Sequence, residues 1–458
     1  MPVVPSSLDA LLSLFADAFS APVFETFRML VVGFVCRVGE HSVVGMLQAA
    51  RLQRVWHHSR AHAFFAERNW SADKLGLLLL AFVVARFVPE DAPIKLAVDD
   101  SLFTRWGRRV YGAAWQYDGS KPAGGGRAAQ VGYGNNFVIV TVIVTLPFMK
   151  RTVSLSILSR LWRPDPEAKA QRKQGRRPKP NPAYPSKYQL ARQMLELVAA
   201  AYPQREIEIV GDCAYATNAL GSELQERVMI TSRLKANAKL YAPKPERTGK
   251  RGQPAKKGKR LPKLAQIADD PHTVFEQVEV TREGKRRTVH AHRFQALFYD
   301  VWGERRVQVV LVRERERATG YDVALISMNM KASVAQIIEF YDERWSIEVC
   351  IEGAKQITGI GQARNRVKRA VERTVPFGLL CQSLVICWYA LHGQAERDVK
   401  RRRWLSPWYP HKRSPSLQDM LSRLRHEVIA AQYPPLTPHT VNQPQIPSSP
   451  QTLDATAA

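Results

Sequence analysis

The sequence is short of acidic residues. Its 458 residues include 41 Asp and Glu against 67 Lys and Arg, which leaves a formal net charge of +26. So large a positive excess favours a polyanionic partner, most often nucleic acid and less often an anionic membrane. The alternative is a basic surface that serves only solubility. Apolar residues make up 45% of the chain, which excludes a wholly disordered protein.

Cysteine and long apolar runs are scarce as well. The five cysteines are odd in number and form no Cys-x-x-Cys pair, which argues against a disulfide framework and a cysteine-based zinc site and favours a reducing compartment. No basic segment precedes an apolar one near the start, so we expect no signal peptide. The longest apolar runs, at 75–85, 137–148 and 377–391, are too short for a bilayer or carry polar residues. We therefore expect a cytoplasmic protein without a membrane partner.

The pattern of apolar residues predicts an α/β core that is interrupted by an all-β insertion. Helical periodicity occupies the first ninety residues, and β-branched runs then alternate with a helix at 186–201. Short alternating strands follow, before helices return at 333–358 and 367–392. The predicted domains are a helical one at 1–90, the core at 91–234 and 333–395, the β-rich insertion at 235–332, and a basic segment with a disordered Pro-rich tail at 396–458.

Three stretches are basic and poor in apolar residues. They lie at 171–187, 243–263 and 397–413, and the last has Trp404, Trp408 and Tyr409 between its basic residues. Each is either a solvated loop or an arm that contacts phosphates.

A candidate catalytic stripe lies on the helix predicted around 341–355. At about 100° per residue, Tyr341, Arg344, Glu348 and Lys355 fall within about 60° of one another on one face. A carboxylate between two basic side chains suits a metal-assisted phosphodiester site, whereas the alternative is an ordinary salt-bridged surface. Glu352 falls on the same stripe, so helix geometry alone leaves the choice between the two glutamates open.

Acidic residues also follow two of the predicted strands. Asp99 or Asp100 comes after the strand at 94–98, and Asp212 after the strand at 206–210. Carboxylates at strand ends of an open α/β sheet gather in one crevice. Two such aspartates and a helix glutamate are a donor set for two divalent cations about 4 Å apart.

These motifs together resemble the bacterial insertion-sequence transposases that have an RNase H-like DDE core. Tyr341, Arg344, Glu348 and Lys355 match the signature Y-x2-R-x3-E-x6-K. The segment 99–101 resembles the D-x-[ST] motif, 211–215 the G-D-x-x-Y motif, and 251–258 the basic glycine–proline loop of the insertion. The resemblance covers about residues 94–395 and implies an RNase H-like mixed sheet flanked by helices.

The resemblance also implies the roles of the site residues. Asp99, Asp212 and Glu348 look like the catalytic triad, which holds two Mg²⁺ ions, with Mn²⁺ as a substitute. The D-x-[ST] spacing favours Asp99 over Asp100. Tyr341, Arg344 and Lys355 look like contacts to DNA phosphates around the cleaved end.

The implied function is a DNA transposase that cuts and joins insertion-sequence ends. Its partners would be double-stranded DNA, both terminal inverted repeats and target, and a second copy of the chain on that DNA, in a nucleoid-associated location. The N-terminal helices fit a domain that binds the terminal repeat. Trp302 is the positional candidate for stacking on a flipped base, against the alternative of core packing. The alternative functions are an RNase H-like host nuclease and a domesticated, non-catalytic DNA-binding protein.

Overall fold

A computed structural model describes residues 3–119, 121, 130–222, 224–244, 255–282, 284–315, 317 and 319–432. Two features singled out in the sequence fall wholly or partly outside these ranges. They are the Pro-rich tail from 433 onward and the first half of the basic glycine–proline loop at 251–258.

One large mixed sheet organises the chain. Its ten strands are β1 (Ile94–Thr104), β2 (Ala114–Tyr117), β3 (Val131–Val144), β4 (Val153–Trp162), β5 (Ile207–Gly211), β6 (Val228–Arg233), β7 (Glu276–Arg282), β8 (Lys285–Leu297), β9 (Arg306–Arg313) and β10 (Val323–Ser327). The strand order is β2-β3-β1-β5-β6-β10-β9-β8-β7, and β4 pairs with β3 on its other side. Among the strands of the described residues, only the pairs β1–β5 and β5–β6 are parallel.

Helices cover this sheet and precede it in the chain. They are α1 (Ser6–Ser13), α2 (Ala21–Cys36), α3 (Val43–Ala49), α4 (His58–Ala66), α5 (Ala72–Phe87), α6 (Pro166–Lys173), α7 (Lys187–Ala201), α8 (Asn218–Gly221), α9 (Leu264–Asp269), α10 (Tyr299–Trp302), α11 (Val334–Glu343), α12 (Trp345–Gln356), α13 (Lys368–His392), α14 (Ala395–Leu405) and α15 (Leu417–Gln432). The mixed sheet flanked by helices confirms the RNase H-like fold class expected from the motifs.

The insertion continues the core sheet. Strand β10 pairs antiparallel with β6, and β9, β8 and β7 follow it as a meander. The insertion lies between β6 and the glutamate helix and is β-rich, but the expectation of an all-β insertion was wrong, because the short helices α9 and α10 lie within it. A small hydrophobic cluster joins Val280, Val310 and Leu325 of these strands to Ile337 and Ile338 of α11. The insertion therefore supports the helix that leads into the candidate site.

The N-terminal helices share the main hydrophobic core. Phe27 of α2 and Phe64 and Phe65 of α4 meet Phe377 of α13 edge to face, with ring centroids 5.2–6.1 Å apart. Helix α13 is long and apolar enough to cross a membrane by length and composition, but 89% of its most apolar window is buried inside the fold. Its polar Gln382 is buried as well. Such burial is what a core helix requires.

Several boundaries of helices and strands differ from those predicted from the sequence. Strand β1 runs on to Thr104 instead of ending at Val98, because β3 is long enough to pair with it beyond the end of β5. The helix predicted at 333–358 is two helices that break at Arg344, because α11 packs on β7 whereas α12 packs on β1 and β4. The basic stretch at 397–413 lies largely in a helix, α14, and α15 follows it.

Gly76 on α5 provides a test of this packing. A Cβ atom at this position would lie 1.8 Å from the Ile157 carbonyl oxygen of β4. Gly76→Ala therefore lowers the free energy of unfolding by about 1–3 kcal/mol, the usual cost of overpacking, although alanine is normally the better helix former. Urea denaturation measures the change. Ala81→Gly, on the exposed face of the same helix, is the control and costs about 1 kcal/mol through propensity alone. A stabilised Gly76→Ala protein would contradict the close contact.

Candidate active site

The register of two parallel strands brings Asp99 and Asp212 side by side. Val98 of β1 is paired with Gly211, the last residue of β5, so Asp99 within β1 lies next to Asp212, the first residue after β5. Adjacent strands lie about 4.8 Å apart, which places the two carboxylates within strong electrostatic range. Asp212 also accepts a hydrogen bond from the Ala214 backbone N–H at 2.9 Å through its Oδ1. The turn that follows β5 thus fixes this side chain.

Asp99 and Asp100 point to opposite faces of the sheet, as successive residues of a strand do. Asp100 is engaged on the side of α7: Lys187 Nζ lies 2.5 Å from its Oδ2, and the Tyr215 hydroxyl donates to its Oδ1 at 3.2 Å. Asn136 Nδ2 donates to the same Oδ2 at 3.0 Å. Asp99 faces the side of α12 instead. Of the two candidates for the first aspartate, Asp100 is thus already ion-paired with Lys187, whereas Asp99 faces the glutamate helix.

The environment of Asp99 disfavours its ionised form. Burial raises the pKa of the Asp99 carboxyl to about 7, and the neighbouring charges of Asp100 and Asp212 act in the same direction. The Asp100 backbone N–H and Arg344 oppose this shift. A cation bound at this position would favour the ionised form, because opposite charge lowers a carboxyl pKa.

Buried hydrogen bonds connect α12 to strand β4 of the sheet and to helix α13. The Ser346 and Ser154 hydroxyls lie 2.6 Å apart, and Thr141 of β3 donates to Ser154 at 3.0 Å. Farther along α12, Gln382 of α13 donates to the Cys350 carbonyl oxygen at 2.9 Å. These contacts fix the first turns of the helix, which carry Glu348, on the Asp99 side of the sheet.

Glu348 and Arg344 form an ion pair. Arg344 Nη1 lies 2.6 Å from Glu348 Oε1, and the guanidinium lies 5.7 Å from the centre of the Tyr341 ring. Tyr341 ends up beside them although it belongs to the preceding helix. Burial raises the pKa of the Tyr341 hydroxyl, whereas Arg344 and Arg233 lower it. The Arg344 Nε donor is buried and has no hydrogen-bond partner among the described residues.

Lys355 lies in a cleft beside these residues. Its ammonium group is 5.6 Å from the centre of the Phe103 ring. Burial lowers the pKa of Lys355, and the charges of Asp118 and Asp99 oppose that shift. The cleft encloses about 730 Å³ and is also lined by Arg105 and Trp106, which the sequence analysis missed. The side chain of Trp106 is 96% exposed.

The arrangement brings five of the predicted site residues around Asp99 in different ways. The charge of Asp99 interacts with those of Asp212, Arg344 and Lys355. Arg344 in turn contacts Tyr341 and Glu348 directly. Among the described residues, no three His, Cys, Asp or Glu side chains are already grouped closely enough to hold a metal ion. The pairing with Arg344 is the contact that occupies Glu348.

Two other residues considered in the sequence have clear surroundings. Glu352 is exposed and accepts a hydrogen bond from Gln356 at 3.1 Å. Trp302 is 4% exposed, lies edge to face with Phe298 at 5.4 Å, and donates to the Thr217 carbonyl oxygen at 3.3 Å. The structure thus shows Trp302 in the core-packing arrangement.

The mixed sheet flanked by helices and the neighbouring aspartates, Asp99 within β1 and Asp212 just after β5, define a nuclease or transposase core of the DDE type. The chain belongs to that group: the family described as DDE superfamily endonuclease matches residues 15–296, more than half of its length. No curated protein matches the chain. Enzymes of this superfamily act on DNA and generally use divalent metal ions. The match includes Asp99 and Asp212 and ends before the segment 341–355, so the Y-x2-R-x3-E-x6-K assignment stays a prediction.

Variants of Arg344 test whether this side chain binds a DNA phosphate or only forms a structural salt bridge with Glu348. If its guanidinium holds a DNA phosphate, Arg344→Ala costs about 1.5–3 kcal/mol, the range for hydrogen bonds to charged groups. The loss is measured as slower end cleavage or weaker DNA binding. Arg344→Lys restores part of it, because Lys keeps the charge and loses the fork of donors.

The alternative gives a different pattern for the same variants. An ion pair with Glu348 that serves only the fold contributes about 0–1 kcal/mol to stability. Wild-type cleavage together with a lowered melting temperature would identify Arg344 as a purely structural residue. Melting and cleavage are therefore measured on the same preparations.

Proposed function

We propose that this protein is a DNA transposase that cuts and joins the ends of an insertion sequence. The observation that carries the proposal is the proximity of Asp99 and Asp212, which directly follow the paired residues Val98 and Gly211 of two parallel strands, on a sheet against which the helix that carries Glu348 packs. The high positive charge supports a DNA substrate. The β-rich insertion before the glutamate helix supports the transposase alternative over a minimal nuclease.

The residues fit the chemistry of a divalent cation site. Carboxylate oxygens are the ligands that Mg²⁺ takes in proteins, with Mn²⁺ as a substitute of similar preference. Asp99 and Asp212 are neighbouring carboxylates of like charge, and the pKa of Asp99 is raised mainly by burial and further by the charges of Asp100 and Asp212. Glu348 would complete the set by exchanging its contact with Arg344 for the cation. Two bound ions would activate the attacking oxygen and stabilise the leaving one.

The remaining residues of the site would hold the DNA strand. Arg344, once released from Glu348, offers its planar donors to a phosphate. Lys355, in the neighbouring cleft, offers a point charge to a second phosphate. Tyr341 packs against Arg344 and offers a hydroxyl group. When Glu348 binds a metal ion in place of Arg344, Arg344 would become available for a phosphate, so metal binding and phosphate binding would be coupled.

Several finer features belong to the same proposal. The protein would recognise double-stranded terminal inverted repeats through residues 1–90 and would act as a homodimer on two DNA ends. It would work in the bacterial cytoplasm, associated with the nucleoid. A host nuclease with the same core is the second candidate. The excess of basic residues suits either function, because both act on DNA.

Strand transfer separates the two candidates. The test incubates the full chain and Mg²⁺ with a labelled duplex that ends in the inverted repeats flanking its gene, together with a supercoiled target plasmid. A transposase produces cuts at the repeat ends and joined products in the plasmid. A control duplex with a scrambled repeat remains uncut. Cleavage of both duplexes without joined products would identify a nuclease and overturn the transposase proposal.

A further inference from the structure

A second surface with features of a DNA-binding site lies outside the residues considered so far. It consists of Trp404 at the end of α14 and Trp408 and Tyr409 in the loop that follows, which are 79%, 71% and 61% exposed. We call these three residues the aromatic surface. The rings of Trp408 and Tyr409 lie 6.4 Å apart, and Trp404 is four residues before Trp408. Several large aromatic side chains exposed in one short segment indicate a binding site, because their exposure is unfavourable.

The surroundings of the aromatic surface are strongly basic. The segment 395–413 contains seven Lys and Arg against two acids. One of these acids, Asp398, is buried and accepts a hydrogen bond from the Tyr389 hydroxyl at 2.6 Å. Glu396 is the other and is exposed. The solvent-facing charge next to the three rings is therefore predominantly positive.

A buried carboxylate holds the loop of the aromatic surface in place. Asp419 of α15 receives Arg402 Nε at 2.7 Å and Lys412 Nζ at 2.9 Å, one from each side of the loop. The Ser416 hydroxyl donates to the same carboxylate at 2.7 Å, and Arg403 Nε donates to the Lys412 carbonyl oxygen at 2.8 Å. The rings are thus presented on a fixed loop, which reduces the entropy lost when a ligand binds.

The aromatic surface adjoins the candidate active site. A cleft of about 470 Å³ is lined by Trp408 and Tyr409 on one side and by Ile357, just after the glutamate helix, on the other. The cleft that contains Lys355 begins at Ile360 and Gln362, on the same short segment. The two clefts are therefore lined by residues of one short segment, 355–362, and a strand that leaves the Lys355 cleft along this segment would reach Trp408 and Tyr409.

Unpaired bases are the ligand that suits both features. Every base has a flat face that stacks on an aromatic side chain, and basic side chains hold the phosphates between them. In a duplex the bases already stack on one another, so a duplex would use the basic residues and leave the rings unused. We propose that the aromatic surface binds single-stranded DNA, such as a strand released where the duplex opens beside the catalytic cleft.

The test compares three labelled probes of equal length by fluorescence anisotropy with the full chain. They are a single strand of mixed sequence, the corresponding duplex, and a strand with abasic sites that keeps the phosphates. The double variant W404A/W408A loses roughly tenfold or more in affinity for the single strand. Its affinity for the duplex stays within about twofold of wild type, because the basic residues remain. The abasic strand binds both proteins with equal affinity.

Two controls keep the result interpretable. The variant W404F/W408F retains aromatic faces and recovers most of the affinity for the single strand. Lys331→Ala removes an exposed charge elsewhere in the fold and leaves the preference between single strand and duplex unchanged. Circular dichroism and melting establish that the variants fold, as expected for exposed side chains.

Three outcomes would overturn the proposal. An equal loss for strand and duplex would show that the surface acts only through charge. Unchanged affinity for the strand, together with a shift from dimer to monomer in light scattering, would identify a contact between two copies of the chain. Unchanged affinity for the strand, together with lost binding to vesicles of anionic lipid, would identify a membrane surface.

Discussion

Asp99→Asn, Asp212→Asn and Glu348→Gln each abolish Mg²⁺-dependent DNA cleavage while DNA binding is kept. Each amide has nearly the shape of the carboxylate it replaces but lacks the charge that binds a divalent cation. Binding persists because the basic residues that contact phosphates remain, and one negative charge fewer reduces repulsion from the DNA. Cleavage of a labelled duplex and anisotropy on the same variants measure the two effects.

The two carboxylates adjacent to the proposed triad supply matched controls. Glu352→Gln changes an exposed side chain one turn beyond Glu348 and leaves cleavage intact. Asp100→Asn removes the partner of Lys187 on the opposite face of the sheet, so it lowers stability and leaves the cleavage of the folded protein measurable. Full activity of Glu348→Gln combined with an inactive Glu352→Gln would move the third carboxylate to Glu352.

DNA affinity falls by about 10³–10⁵ between 50 and 200 mM salt if about 6–10 phosphates are contacted. The physical reason is the release of condensed counterions as Lys and Arg neutralise phosphates. The net charge of +26 supplies enough basic residues for about 6–10 phosphate contacts. Titrations at five salt concentrations give the slope of log affinity against log salt. The variant Lys355→Ala reduces that slope by about one.

The control for the salt experiment is Lys331→Ala. The Lys331 side chain is 86% exposed, and its ammonium group pairs with Glu206 at 3.2 Å. The slope of this variant equals that of the wild type if this lysine lies outside the DNA footprint. A nearly flat dependence for the wild type would show that the positive charge serves solubility instead of DNA binding.

The sequence was informative where chemistry follows from local pattern. The buried β-branched run of β3 and the aspartates beside β1 and β5 could be predicted, because parallel strands place their carboxyl ends together. The fold class followed from the order of these elements. The D-x-[ST] spacing favours Asp99 over Asp100 as a metal ligand, and this stays a prediction. The different surroundings of the two carboxylates could not be predicted, because the partners of Asp100, Lys187 and Tyr215 among them, are distant in sequence.

Other features depended on contacts that sequence pattern does not encode. The break at Arg344 arises because the two halves of one apolar-periodic segment pack on different strands. Helix α14 was missed because its run of arginines looks like a solvated loop, although Arg402 is anchored by Asp419 seventeen residues later. The cleft with Arg105 and Trp106 forms where β1 extends past its predicted end.

The path of the insertion has a consequence for protein engineering. Strands β6 and β10 are antiparallel neighbours, with Arg233 opposite Leu325, so in connectivity the insertion is an enlarged hairpin loop. A tight turn could splice the two strands, but that truncation would strip Ile337 and Ile338 of the strands that cover them. A truncated protein that folds would therefore need polar residues at positions 337 and 338 of α11, because this face of the helix would be exposed to solvent.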